Sequence, residues 1–474
     1  MPQLPGPPSA RDDSNDPLAQ LIDRFEEGLA SGEPAFLSEE ELDELLEYYE
    51  SQEDYENSLA VAEQGISQFK FSPEYYLAKA NSLVYLGRIE DTIEALDQAA
   101  TYSPGNPDVE LMRIDLLLDE ERIDDALELI NGLLDGSLDN NQRTHALFQR
   151  SEIYRLERKF DEMLEDLKEA LRIDPCYDAA LQMLVYVGDP FRVGKQAREI
   201  LEQLIDDDPY YDAAWYYLGI ACEQADEDER ALEAYDYAVT IQPDDPRYIE
   251  SYAQFLFYLG RFRPALEQYV DLITRFDPKD PSVYLRTGEC YKQLESYKYA
   301  REMYRRAILL LPEYIDPYTQ IADTFMLEGK FHQAVNYYEK AMLIDDIGPA
   351  ELLGYALANR ALNDAGKAEK AFQQAIRYNP DAGDYYIHYA LFQLDLGRER
   401  DAFRTLEEAY DNADMSAILI YGEVVVRLLA NRRRAALLRL REAVARYPDD
   451  VELLYHWNGD LRDDLQVGEI VMEK

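Results

Sequence analysis

The chain is poor in the residues that carry chemistry. Its 474 residues include 3 cysteines, 4 histidines and 2 tryptophans. Cys176, Cys222 and Cys290 are odd in number and far apart, which argues against a disulfide framework and for a reducing compartment, the cytoplasm by default. His145, His332, His388 and His456 are as scattered, and no Cys/His spacing suits a structural zinc site. Positive charge is scarce: 47 Lys+Arg face 96 Asp+Glu, a net charge of -49. Nucleic acid is disfavoured as a partner, because phosphate binding needs a basic footprint. Anionic lipid is disfavoured for the same reason. There is no run of about 18 apolar residues, so no membrane span is expected. The signatures G-x-x-x-x-G-K-[ST], H-E-x-x-H, G-x-S-x-G and Cys/His nucleophile patterns are absent. No enzyme, cofactor or metal site is therefore expected.

What is present is a repeat. Asp212 to Pro243 reads DAAWYYLGIACEQADEDERALEAYDYAVTIQP. It contains Trp215-x2-Leu218-Gly219, then Ala231-x3-Tyr235-x2-Ala238, then Pro243. Small residues at Gly219, Ala231 and Ala238 let two helices cross closely, with Trp215, Leu218, Leu232 and Tyr235 filling the space around them. Pro243 closes the second helix. Stepping 34 residues at a time returns the pattern. The small position of the second helix reads Ser58, Thr92, Ala126, Met163, Ala197, Ala231, Ala265, Ala300, Ala334, Ala368, Ala402 and Ala436, nine of twelve being Ala. Units start at 39, 73, 107, 144, 178, 212, 246, 281, 315, 349, 383 and 417, with extra residues near Ser137–Asn141 and Asp277–Asp280.

This spacing resembles the tetratricopeptide (TPR) repeat, a helix–turn–helix of 34 residues, departing from it at Cys222 where an aromatic is usual. The resemblance covers roughly residues 39–450 and is strongest near 212–245 and 281–348. It implies an all-α, TPR-type helical-repeat solenoid: a right-handed superhelix of about twelve units with terminal caps. Residues 1–16 read as a disordered lead without a secretory signal pattern. Residues 17–38 read as an amphipathic capping helix and linker, with Leu18, Leu21, Ile22, Phe25 and Leu29 on its stripe. Residues 451–474 read as a last helix and a tail, with Tyr455 or Trp457 covering the final pair. In the fifth unit Gly188-Asp-Pro-Phe-Arg-Val-Gly194 replaces the usual turn.

The family binds peptides on the concave face lined by first helices, so the resemblance implies a non-enzymatic cytosolic scaffold for a protein or peptide segment. Register puts positions 2, 5, 6, 9, 12 and 13 of each unit there. In the first unit these are Glu40, Asp43, Glu44, Glu47, Glu50 and Ser51. In the middle they include Tyr186, Tyr216, Tyr217, Ile220, Gln254, Phe257 and Tyr258, the expected binding surface for a basic or aromatic partner. Arg286, Glu289, Lys292, Asp323 and Arg360 follow, then Ile418, Tyr421, Val425, Leu428 and Leu429. The Lys/Asn clamp that some members use for chaperone tails is not matched by Leu77/Asn81, Tyr216/Ile220 or Leu285/Glu289. Arg432, Arg433, Arg434 and Arg439 form a basic patch at the other end. An alternative reading is therefore self-association, acidic end to arginine end. The tail Leu465, Val467, Ile470 and Val471 is a candidate to fold into the apolar end of the groove, with Asp463 and Asp464 near the arginines.

Overall fold

The computed structural model describes residues 17–32, 34–186 and 190–472, with the side chains of Tyr186 and of 190–193 excluded. The anticipated disordered lead, 1–16, lies outside the described residues. So does the core of the atypical turn, 187–189, after which a helix begins at Pro190. Secondary structure among the described residues is helical throughout, in two compact units, Met1–Gln242 and Pro243–Lys474.

The first unit opens with α1 (Pro17–Ser31), followed by six helix pairs. These are α2/α3 (Glu39–Ser51, Tyr55–Gln68), α4/α5 (Pro73–Tyr85, Ile89–Tyr102), α6/α7 (Pro107–Asp119, Ile123–Leu134), α8/α9 (Asn140–Leu156, Phe160–Ile173), α10/α11 (Asp178–Tyr186, Pro190–Asp207) and α12/α13 (Asp212–Glu223, Asp228–Ile241). The second unit holds α14/α15 (Pro246–Tyr258, Phe262–Phe276), α16/α17 (Pro281–Gln293, Tyr297–Leu310), α18/α19 (Asp316–Leu327, Phe331–Met342), α20/α21 (Pro349–Ala361, Ala365–Tyr378), α22/α23 (Gly383–Asp395, Glu399–Asn412) and α24/α25 (Ala417–Leu429, Arg433–Arg446). It closes with α26 (Glu452–Trp457) and α27 (Leu465–Met472). The architecture is thus a TPR-type helical-repeat solenoid of twelve pairs with terminal caps.

Local chemistry starts the helices where the repeat places them. Proline stands in the first turn of α4, α6, α14, α16 and α20, where its missing N–H costs nothing. Asn106, Asp245 and Asp280 accept from the backbone two residues on and cap α6, α14 and α16. Ser38 and Glu41 form the expected capping box. A second box, Asp139 with Gln142, starts α8 at Asn140, four residues before the register position. The extra residues expected in that loop have joined the helix.

Between the helices of a pair the chain reverses through one left-handed residue at position fifteen of the unit. Glu53, Gly87, Glu121, Arg158, Asp226, Gly260, Glu295, Gly329, Asn363, Gly397 and Asn431 all have φ between 56° and 70°. At the end of α4, Gly87 N–H donates to the Val84 carbonyl and Arg88 N–H to that of Leu83, both at 2.9 Å. These two hydrogen bonds satisfy carbonyls the helix leaves open.

The core follows the small positions. All twelve residues from Ser58 to Ala436 are completely buried. Gly219 lies under the Tyr235 ring and Gly288 under Tyr304: a Cβ on Gly288 would stand 2.4 Å from Tyr304 Cε1. Trp215 departs from its expected place inside the pair. It is only half-buried, stacks on Tyr237 at 4.4 Å, and donates its indole N–H to the Pro209 carbonyl at 3.0 Å.

The caps pack as helices. Leu21 and Phe25 of α1 are buried, the Phe25 ring 5.9 Å from Tyr49, but Leu29 is exposed and leaves the stripe. At the other end α26 packs on α24, with Leu454 fully buried and Trp457 4.7 Å from His388. The tail takes a different course from the one expected. Helix α27 packs on the second helix α25, burying Val467 and Ile470 there.

Candidate functional site

In the first unit the first-helix face begins acidic. Glu40, Asp43, Glu44, Glu47 and Ser51 are exposed, and Glu50 accepts from Asn81 at 3.1 Å. Partial loss of hydration, then the neighbouring Glu74, raise the Asp43 carboxyl from its ordinary value even though the residue is exposed. The aromatic residues of this unit are less available than register implies. Tyr216 is half-buried, its ring edge-on to Tyr217 at 5.1 Å. Tyr217 is 2 % exposed and donates its hydroxyl to Asp178 at 2.9 Å, so it joins α12 to α10 instead of facing a groove. Burial holds its phenol strongly protonated. Ile220 is buried as well. The Tyr186 side chain lies outside the described residues.

In the second unit the residues expected to bind, at positions nine, twelve and thirteen of the repeat starting at 246, are more open. Gln254 is exposed, Phe257 is half-buried with its ring 5.6 Å from Phe262, and Tyr258 is 76 % exposed. Further along, Arg286, Glu289, Lys292 and Asp323 are half-buried. Lys292 donates to Gln320. Burial pushes the carboxyls of Glu250, Glu289 and Asp323 up, and the cations Arg286 and Lys292 only partly offset it. Arg360 is paired with Asp395. The apolar end is closed: Tyr421 and Val425 have no exposure, while Leu428 is half-buried and Leu429 exposed.

The basic patch is largely neutralised within the chain. Arg432 pairs with Glu399 at 2.6 Å and lies over the Phe403 ring at 4.0 Å. Arg433 pairs with Asp464 at 2.7 Å, as placed by the tail. Arg439 pairs with Glu423 and Glu442, and Glu423 is buried between Arg439, Arg427 and Tyr410. Arg434 is exposed. Charge counting along the sequence could not see Glu399, Glu423 and Asp464, which come from other parts of the fold; only Glu442 shares α25 with its arginine.

Tyr235 sits in the core as its spacing implied, but register missed the other second-helix tyrosines. Tyr235, Tyr269, Tyr304 and Tyr338 are buried in the repeats, their hydroxyls close to first-helix carboxylates. A tyrosine fifteen residues after an acid, as in Glu289/Tyr304 and Asp323/Tyr338, is the signal that would have found two of them. On the second-helix side of the first unit, Leu171, Ile200, Leu204, Tyr211 and Cys176 line a cleft of about 360 Å³.

Comparison with known proteins places this geometry. Models described as tetratricopeptide repeat match residues 83–147, 144–175, 195–246, 253–317, 315–346 and 353–417, together more than half of the chain. The cell division cycle protein 16 homolog of Mus musculus is 24 % identical over 152 residues, 30 % of this chain and 24 % of that protein. The protein CTR9 homolog of Arabidopsis thaliana is 23 % identical over 305 residues, 61 % of this chain and 27 % of that protein. The chain thus spans about a quarter of the length of these relatives. Among solved structures, the APC/C hetero-tetramer Cut9-Hcn1 is similar at 13 % identity and a TM-score of 0.37, covering 95 % of this chain and 98 % of that one. With its matched repeats and its helix pairs, the chain belongs to the tetratricopeptide-repeat family.

Proposed function

We propose that the chain is a non-catalytic scaffold that holds a segment of a protein partner on its first-helix face. The observation that carries this reading is Tyr258 on α14, left 76 % exposed beside half-buried Phe257. Tyrosines at the small-residue crossings are by contrast almost fully buried, as Tyr269 and Tyr304 show. An exposed tyrosine offers large amphipathic contact area at low entropic cost. Family membership supports the reading, because repeat stacks work through extended surfaces, though a fold alone does not set function. The net charge of -49 speeds encounter with a basic partner. A cytoplasmic location is part of the proposal and rests on the three free cysteines.

The test is cross-linking capture with the full chain, comparing wild type with a Phe257→Ala/Tyr258→Ala variant. The expected result is a partner cross-linked to α14 in wild type and lost from the variant. A partner kept by both, with cross-links on second helices, overturns the reading. Self-association through the arginine end gains no support from the structure, since Arg432, Arg433 and Arg439 already have acidic partners.

A further inference from the structure

Helix α17 carries four cations, Lys298, Arg301, Arg305 and Arg306, against one acid, Glu302. This is unusual in a chain whose acids outnumber its bases 96 to 47. Arg301 is buried and accounted for, paired with Glu328 at 2.9 Å and lying over the Phe325 ring. The other three are exposed, and among the described residues no carboxylate makes a salt bridge to any of them. Lys298, Glu302, Arg305 and Leu309 are spaced by four, three and four, so they share one stripe of the helix, with Arg306 beside it. Leu309, at the end of the stripe, is 82 % exposed. The next repeat continues the pattern 34 residues on: Lys340 stands where Arg306 does, and Leu343, 86 % exposed, where Leu309 does. Lys340 is exposed, and its ammonium lies over the Tyr337 ring at 4.5 Å with no salt bridge among the described residues.

Equivalent positions of stacked repeats fall on one side of the stack, so these helices present cations first and bare leucines after them. The exposed acids Glu313, Asp345 and Asp346 come past the helix ends, beyond the leucines. Helix α25 is as basic, but there Arg433 pairs with Asp464 and Arg439 with Glu423 and Glu442. A single exposed leucine is ordinary; one repeated beside unanswered guanidinium groups marks a contact surface. Its complement is acidic and apolar together, since guanidinium forks fit carboxylates and the leucines offer nothing to a charge. A short acidic segment feels mainly the local cations, because charges beyond about 10 Å are screened at 0.1 M salt. A nucleic acid or an anionic membrane fits less well: it would run past the band onto the acidic remainder of the chain, and Glu302 stands within the stripe.

We propose that the outer face of α17 and α19 docks an acidic protein segment with leucine-type side chains, Arg305, Arg306 and Lys340 taking its carboxylates and Leu309 and Leu343 its apolar groups. This surface goes beyond the scaffold reading: it lies on second helices and takes a partner of charge opposite to the one expected at α14.

The test titrates the full chain with a fluorescein-labelled amphipathic peptide in which Glu and Leu repeat at helical spacing, beside Gln/Leu and Glu/Ala counterparts, at about 0.15 M salt. The variants are Arg305→Glu/Arg306→Glu, Leu309→Ser/Leu343→Ser and a control, Arg400→Glu/Arg434→Glu, which reverses two exposed cations on α23 and α25. Every replaced side chain is exposed, so all three variants should keep the wild-type thermal midpoint. Wild type is expected to bind the Glu/Leu peptide at least about tenfold more tightly than either counterpart. Each band variant should weaken that binding about tenfold or more, and the control by less than about twofold. Equal losses in the control and the arginine variant, equal binding of the Glu/Leu and Gln/Leu peptides, or no binding by wild type overturn the proposal. So does sedimentation showing a wild-type dimer that Arg305→Glu/Arg306→Glu dissolves, which makes the occupant a second copy, or binding of duplex DNA or phosphatidylserine vesicles in place of the peptide. The Phe257→Ala/Tyr258→Ala variant should bind the peptide as wild type does, so the two surfaces fail independently: capture lost at α14 with α17 binding intact sinks the scaffold reading alone, and the reverse sinks this one alone.

Discussion

The Tyr217 hydroxyl donates to the Asp178 carboxylate at 2.9 Å, tying the first helices of consecutive repeats together. Asp178 also accepts from Gln182 at 2.9 Å, so losing Tyr217 leaves it partly satisfied. Tyr217→Phe is therefore expected to cost about 1 kcal/mol. Urea unfolding and hydrogen exchange of α10 and α12 measure it, and an unchanged exchange rate there would show the bond to be idle.

The left-handed turn residues make a second prediction. Glu295 has φ 56° and its neighbour Ser296 N–H donates to Tyr291 at 2.8 Å, so the conformation is held by the turn. A side chain in this region is strained and glycine is not. Glu295→Gly and Glu121→Gly should each stabilise the chain by about 0.5–1 kcal/mol, while Gly87→Ala should destabilise it by a similar amount. Thermal midpoints of the three variants decide the point.

His388 predicts a pH effect in the second unit. Burial, then Arg360 and His456, lower its pKa from 6.5 to about 4. The unfolded chain thus takes up a proton before the folded one does, and this group's stability contribution is lost as pH falls from about 6.5 towards 4. The raised carboxyls of Glu289 and Asp323 act in the opposite sense, favouring the folded state as pH falls towards their unfolded values. The variant comparison isolates the histidine: His388→Gln should gain about 1 kcal/mol on wild type between about pH 7 and pH 5.5. Trp457, 4.7 Å from His388, reports it by fluorescence. A constant difference between the two proteins across this range would refute the assignment.

Thiol chemistry gives a fourth expectation. Cys176 is exposed, whereas Cys222 and Cys290 are buried, which pushes their thiols up to about 11 and about 12. A maleimide should label Cys176 alone in the native chain and all three thiols after denaturation. Native labelling of Cys290 would mean that the α16/α17 pair opens readily.

Much of this was legible before the structure. The spacing of Gly219, Ala231 and Pro243 carries the family, and the twelve small positions are all buried. The left-handed turns were hidden because only four of them are glycine: Gly87, Gly260, Gly329 and Gly397. At the others the hydrogen-bonded turn imposes the conformation on Glu, Arg, Asp or Asn, which signal it weakly.

The sequence alone determined the register, most first-helix starts (α8 being the exception) and the family, because these depend on residues a few positions apart along the chain. Tertiary structure alone decided what remains available for binding. Tyr217 and Ile220 are withdrawn by packing between helices, and Tyr258 is not. Arg433 is neutralised by Asp464 and Arg439 by Glu423, partners 31 and 16 residues away. The tail, Val467 and Ile470, buries itself on α25. Exposure and charge at a site are sums over neighbours brought together by folding, and spacing along the chain does not carry them.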